Sequence, residues 1–275
     1  MAKDIDIKDV NYNDDNKVVV KNNYIMAVHP DGMSLTAMKL FRLTIAQCRM
    51  NDTGFYVYKF RVGDLVKELQ VSRQDVNRDI KTMCKQIMQM LLYCGDITGK
   101  DWEFKHIFEK CEYRANEESV YIQLHSDMTP LFLRIDKTGS FTRIPLISML
   151  LMKSKYSIRL YELICYRIMS EWPYSNVSTT VVLPLEETKK YLVRSKGCYD
   201  SISNFKARIL LPALAEIEKC SSWKIIRHDI KSGRTITAFK LEIWDADGYQ
   251  IVQDCIARGV PIPRPKYFHG ERQER

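Results

Sequence analysis

The feature that most constrains this chain is an internal echo. MKLFRL at Met38–Leu43 returns as IRLYEL at Ile158–Leu163, 120 positions later. Apolar, basic, leucine, aromatic and leucine positions match in register. The offset is the length of a domain, so it marks a duplication and not a solenoid. Six residues are a small match, and the order of elements after each copy gives it weight. Around the first, Ser34 caps a helix to about Arg49 with Leu35, Met38, Phe41, Leu43 and Ile45 apolar. A short strand, Phe55–Phe60, and a short helix, Val62–Leu69, follow. After a tight break at Val71 and Ser72, a longer helix runs from about Arg73 to Leu92, with Val76, Ile80, Met83 and Ile87 on one stripe. Trp102–Ile107 and Ser119–Leu124 read as a hairpin. After the second copy the same order returns: helix Tyr156–Met169, strand Ser178–Leu183, short helix Leu185–Leu192, polar break Arg194–Tyr199 and long helix from Asp200 to about Lys219. Strands Trp223–Ile230 and Thr235–Trp244 then flank a turn at Lys231–Arg234.

A short helix, a turn and a longer helix make a helix-turn-helix, and a β-hairpin directly after it makes a winged helix. The expected class is therefore α+β, with tandem winged-helix domains related by internal duplication. Residues 1–16 read as a mobile amino-terminal segment, 17–138 as the first domain, 139–250 as the second and 251–275 as a basic tail. The joint falls near Lys137–Ser140, where turn residues coincide with a change of charge.

The chain of 275 residues carries a formal charge of +8. Residues 1–139 hold 20 basic and 20 acidic side chains, whereas residues 140–250 hold 17 and 11. On charge alone a polyanion partner for the second half and a merely basic soluble protein fit equally. The winged helices favour the first. A long helix of this kind enters the major groove of duplex DNA, and the wing reaches backbone or minor groove. With the apolar stripe of the first long helix inward, Gln74, Arg78, Lys81 and Lys85 face out, with Arg73 at its start. On the second, Ile202, Phe205, Ile209, Ala213 and Ile217 form the stripe, and Ser201, Asn204, Arg208 and Leu211 face away. Asn and Arg are the side chains that pair bidentately with adenine and guanine. Lys206 sits nearer the core edge and is expected to snorkel to phosphate. Lys196 and Tyr199 in the break, and Lys231 and Arg234 flanking the wing tip, complete the expected DNA-binding set. Pro212 removes a bond to the Arg208 carbonyl and bends the helix.

Motifs of other classes are absent or incomplete. Gly95–Asp101 resembles a P-loop but has one residue too few between its glycines, and Asp101 stands where Ser or Thr must hold magnesium. The five histidines are isolated, so Tyr161 and Tyr166 read as helix residues and not as nicking nucleophiles. The eight cysteines include no CxxC pair, which points to reduced core thiols and no zinc. No apolar run approaches the ~18 residues of a membrane span, and the polar, acidic start is no signal peptide. Neither catalysis, a cofactor nor a metal is expected, and the expected location is the cytoplasm.

The residues also resemble a known family, the iteron-binding plasmid replication initiators (the Rep3 or RepB-like superfamily). Ser157–Leu163 is similar to its S-x-R-x-Y-E-L segment. Tyr199 and then Phe205, Lys206, Arg208–Leu210, Pro212, Ala213, Glu216 and Ile217 resemble its recognition helix, and Gly233, Arg234 and Phe239 its hairpin. In the first half Val20, Asn22, Asn23 and Leu35–Leu43 resemble its opening pattern, with Asn22 in place of Ser and Ala37 in place of an acidic residue. The resemblance spans about residues 17–245. It implies binding to repeated double-stranded origin sites, opening of adjacent AT-rich DNA, recruitment of a host initiator and helicase, and repression of the chain's own promoter. It also implies self-association through the first domain, at about 17–136, with monomers on the repeats and dimers on an inverted operator. The neutral first half fits such a surface. A double winged-helix transcriptional regulator of a mobile element is the alternative, and a nicking or primase-like enzyme comes third.

Overall fold

The structure is a computed structural model that describes residues 7–10, 17–21, 33–49, 52–95, 102–133, 141–170, 178–193, 199 and 201–245. The chain divides into two compact units, Met1–Lys155 and Tyr156–Arg275. None of its described helices is long and apolar enough to cross a membrane.

In the first unit, β1 (Ile7–Asp9) and β2 (Lys17–Lys21) precede α1 (Leu35–Ala46). The Ser34 hydroxyl accepts the Ala37 amide and caps α1 as expected. Ten of its twelve residues are buried, among them Lys39, which donates to the Leu150 carbonyl at 2.5 Å, and Arg42, which donates to the Met38 carbonyl. β3 (Val57–Arg61) leads directly into α2 (Val62–Leu69). Gln70 then takes the left-handed conformation (φ +55°) and Ser72 caps α3 (Arg73–Met88), which makes the tight break between the helices. Val76, Ile80, Met83 and Ile87 are the buried stripe of α3. β4 (Leu91–Gly95) pairs with β5 (Trp102–His106), and β6 (Phe108–Arg114) with β7 (Ser119–Leu124). A short α4 (Thr129–Phe132) follows, then β8 (Phe141–Pro145) and α5 (Leu146–Leu151). The main sheet has the order β1-β3-β7-β6, and Phe41 meets Phe108 edge to face with centroids 5.6 Å apart.

Three expectations change here. Residues 7–9 are a strand and not part of a mobile terminus: β1 pairs in parallel with Val57–Lys59 and so satisfies an edge of β3 that, among the described residues, has no other strand beside it. The strand at 102–106 pairs with 91–95 and not with 119–124, because α3 ends at Met88, short of Leu92, and leaves residues 91–95 free to extend. The domain boundary moves from 138 to 155. β8 pairs antiparallel with β2, from Lys17↔Pro145 to Lys21↔Phe141, so the end of the unit returns to its beginning. Lys137–Ser140, where the joint was expected, lies outside the described residues, as do 251–275. With Arg143, Lys153 and Lys155 in the first unit, the net charges become +3 and +5.

The second unit repeats the order with fewer strands. α6 (Lys155–Ser170) precedes β9 (Ser178–Pro184) and α7 (Leu185–Leu192). One continuous helix then runs over 202–220: α8 (Ile202–Phe205), a π-helical turn (Lys206–Leu210) and α9 (Leu211–Cys220). The Leu211 amide bonds the Lys206 carbonyl, five residues back. The wider turn lies directly before Pro212, which has no amide and whose ring would press on the Arg208 carbonyl of a regular helix. β10 (Trp223–Ser232) and β11 (Thr235–Asp245) form the hairpin, and the sheet order is β10-β11-β9. Ser232 pairs with Thr235, so the turn is Gly233–Arg234 with Gly233 at φ +59°, as a type II′ turn requires of its first central residue. Tyr161, Leu183, Phe205, Ile209, Phe239 and Leu241 are buried in this core.

Among the described residues, Cys48, Cys84, Cys111, Cys165 and Cys220 are free thiols. Burial pushes the Cys48 thiol up to about 12.

Because Phe205 lies in the second core, Phe205→Ala is expected to destabilise that unit by about 3–5 kcal/mol. Amide exchange checks this: protection should fall in β9, β10 and β11 and hold in β3 and β7.

Candidate nucleic-acid interface

The two long helices turn their polar faces outward but use charge differently. On α3, Arg73, Gln74, Arg78, Lys81 and Lys85 are all exposed. Arg78 is held by Asp75 and Asp79, each at 2.9 Å. The Asp79 carboxyl is lowered below its usual range chiefly by its hydrogen bond to Arg78. Arg73 donates to both carboxylate oxygens of Glu118, at 2.7 and 2.6 Å. Among the described residues, no ion pair engages Lys81 or Lys85.

Glu118 is also a backbone element. It is left-handed (φ +43°), and its carbonyl accepts the Val62 amide that starts α2 at 2.8 Å. The preceding Glu117 accepts from Lys59 at 2.8 Å, from the Tyr121 hydroxyl and from Arg114 at 3.3 Å. The β6–β7 turn therefore anchors both helices of the first helix-turn-helix. No sequence motif points to it; the signal is only an adjacent acidic pair facing basic residues far away in the chain.

On the 202–220 helix, Ser201, Asn204 and Arg208 are exposed at spacings of three and four, with Leu211 41% exposed beyond them. These positions share one face, opposite the buried Phe205, Ile209, Ala213 and Ile217. Lys231 and Arg234 are exposed at the wing tip. Among the described residues none of Arg208, Lys231 and Arg234 has an ion-pair partner. Tyr199 is partly exposed, and Lys196 lies outside the described residues.

Lys206 is placed differently from the sequence expectation. Its ammonium pairs with the Asp229 carboxylate of β10 at 2.5 Å, and the Arg227 guanidinium closes on the other oxygen of the same carboxylate. Burial, and after it Arg227, hold Lys206 below its usual range. Further along the hairpin, Glu218 accepts the Ile225 amide at 2.8 Å and pairs with Lys224. The wing is thus tied to the long helix near both ends of that helix. Arg227 and Asp229 escaped the sequence reading because they are strand residues whose partner is fixed only by tertiary packing.

Among the described residues no group of three His, Cys, Asp or Glu side chains could hold a metal ion. The arrangement offers donors and cations along a helix and a wing, which is the chemistry of base edges and phosphates.

The chain matches the family model "Initiator Replication protein, WH1" over residues 18–165 and "Initiator Rep protein, WH2" over residues 185–243. Among solved structures, the Pi initiator protein in complex with iteron DNA is 19% identical, with a TM-score of 0.65 over 85% of this chain and 98% of that one. Domains 2 and 3 of RctB are 12% identical, with a TM-score of 0.44 over 77% of this chain and 81% of that one. A WH1 domain of a replication protein isolated from a multiple sclerosis patient is 16% identical, with a TM-score of 0.29 over 40% of this chain and 88% of that one. No curated protein matches the sequence.

Several hydrogen bonds hold the Glu117 carboxyl, Lys59 first and Tyr121 second, at about 2. An unfolded glutamate titrates near 4.3. The stabilisation is complete at neutral pH and is lost as the pH falls from about 4.3 through about 2. Glu117→Gln is expected to lower the melting temperature at neutral pH and to match the parent below pH 2, read by circular dichroism across pH.

Proposed function

The chain belongs to the initiator replication proteins with paired WH1 and WH2 domains, and on that premise we propose that it binds repeated double-stranded sites, iterons, at a plasmid origin through its second unit. The observation that carries this reading is the exposed row Ser201, Asn204 and Arg208 beside a wing tip whose Lys231 and Arg234 have no ion-pair partner among the described residues. The Pi initiator structure, whose fold this chain shares, is itself a complex with iteron DNA. The first unit contributes looser contacts through Lys81 and Lys85, since Arg73 and Arg78 already face carboxylates. The protein then promotes opening of the origin and recruits a host initiator and helicase in the cytoplasm, and it represses its own promoter. It does so by binding, without catalysis, a cofactor or a metal.

Footprinting on the DNA flanking the gene tests the reading, and loss of replication when the gene is deleted from a minimal replicon tests the initiator role. Arg208→Ala is expected to cost roughly 1–3 kcal/mol of binding and to relax preference at one base position. Lys231→Ala should weaken specific and random duplexes alike and reduce the salt slope by about 1. Equal losses on both duplexes for Arg208→Ala would place it on phosphate.

Self-association belongs to the same proposal. The first unit forms a concentration-dependent dimer, a role supported by the internal pairing of its charges. Sedimentation equilibrium of the full chain should show monomer and dimer.

A further inference from the structure

In the second unit a single carboxylate sits among cations that a DNA-binding face would be expected to present. Asp229 is half-buried, with 17% of its side chain exposed, and it faces Lys206 of the helix and Arg227 of the wing. Arg227 and Asp229 are two apart on β10 and so share a face. That face meets the 202–220 helix where Asp229 pairs with Lys206, and it meets α6 where Trp223 packs on Tyr161. Arg227 also lies over the Phe239 ring, 6.0 Å from its centroid. Two cations thus converge on one anionic point between recognition helix and wing. A backbone phosphate presents the same kind of anion to such a pair.

The wild-type pairing has a consequence for selectivity. Binding to arbitrary sequence is nearly all phosphate contact, whereas base contacts are made only on the right site. A carboxylate that occupies two cations removes them from the first kind of binding and leaves the exposed Asn204 and Arg208 for the second. We infer that Asp229 is a positioning residue that competes with DNA phosphate for Lys206 and Arg227, withholding both from duplexes of arbitrary sequence. The inference rests on duplex binding by this unit.

The experiment follows the salt dependence of binding of the full chain to a short random duplex and to a duplex selected by the protein from a random pool. For Asp229→Asn, the slope on the random duplex should steepen by about 1–2 and its affinity near 0.1 M salt should rise about tenfold, as one or two new phosphate contacts require. The ratio of selected to random affinity should fall by a similar factor. Adding Lys206→Gln and Arg227→Gln to that variant should restore the parent slope. In the otherwise unaltered chain, Lys206→Gln or Arg227→Gln should leave the random-duplex slope unchanged, a measurement that does not depend on how well Asp229→Asn folds. An unchanged slope in Asp229→Asn with the parent's melting temperature overturns the inference. So does a steeper slope that survives removal of both cations, or a flatter slope when either cation alone is removed. A parent protein that binds no duplex at any salt concentration defeats the proposed function instead.

Discussion

The apolar seam of each long helix is the constraint on which the two units depend. Val76, Ile80, Met83 and Ile87 in the first, and Phe205, Ile209, Ala213 and Ile217 in the second, are buried. Burying each large side chain of such a seam contributes about 1.5–3 kcal/mol, far more than any surface ion pair on the opposite face. The seam therefore decides which way each helix turns, and the polar face is presented to solvent as a consequence. The exposed row of Ser201, Asn204 and Arg208 follows from where Phe205 and Ile209 must go.

Duplication supplied the same frame twice, and charge has since divided the two copies. In α3 the arginines are answered by Asp75, Asp79 and Glu118. In the second helix the outward arginine and the wing-tip cations face solvent. The difference is not one of total charge, since the units stand at +3 and +5. It lies in whether a carboxylate is within reach of each cation, which governs how much positive potential a polyanion meets.

The second unit also fastens its hairpin to its long helix. Glu218 fastens the base of the wing, and Asp229 fastens its middle to the first residue of the π-helical turn. That turn accommodates Pro212 inside a helix that otherwise continues for nineteen residues, from 202 to 220. Wing and helix are thereby set as one surface, and the register of the exposed row is fixed by the same turn.

What could be read from the residues was whatever depends on neighbours in the chain. The caps at Ser34 and Ser72 work through an amide three residues on, the break at 70–72 needs only a left-handed residue, and the Gly233 turn needs only a residue that tolerates positive φ. Periodicity of 3.6 marked the buried stripes, and the repeated order of elements marked both winged helices. Tertiary structure decided the rest. Whether residues 141–145 close the first unit or open the second depends on a ladder with residues 17–21, more than a hundred positions away. Whether 91–95 extends the helix or forms a strand depends on the partner at 102–106. The destination of Lys206 depends on a carboxylate twenty-three residues further on, which no local pattern announces. Local propensities act over three or four residues, whereas ladders and ion pairs are chosen by whatever the fold brings alongside.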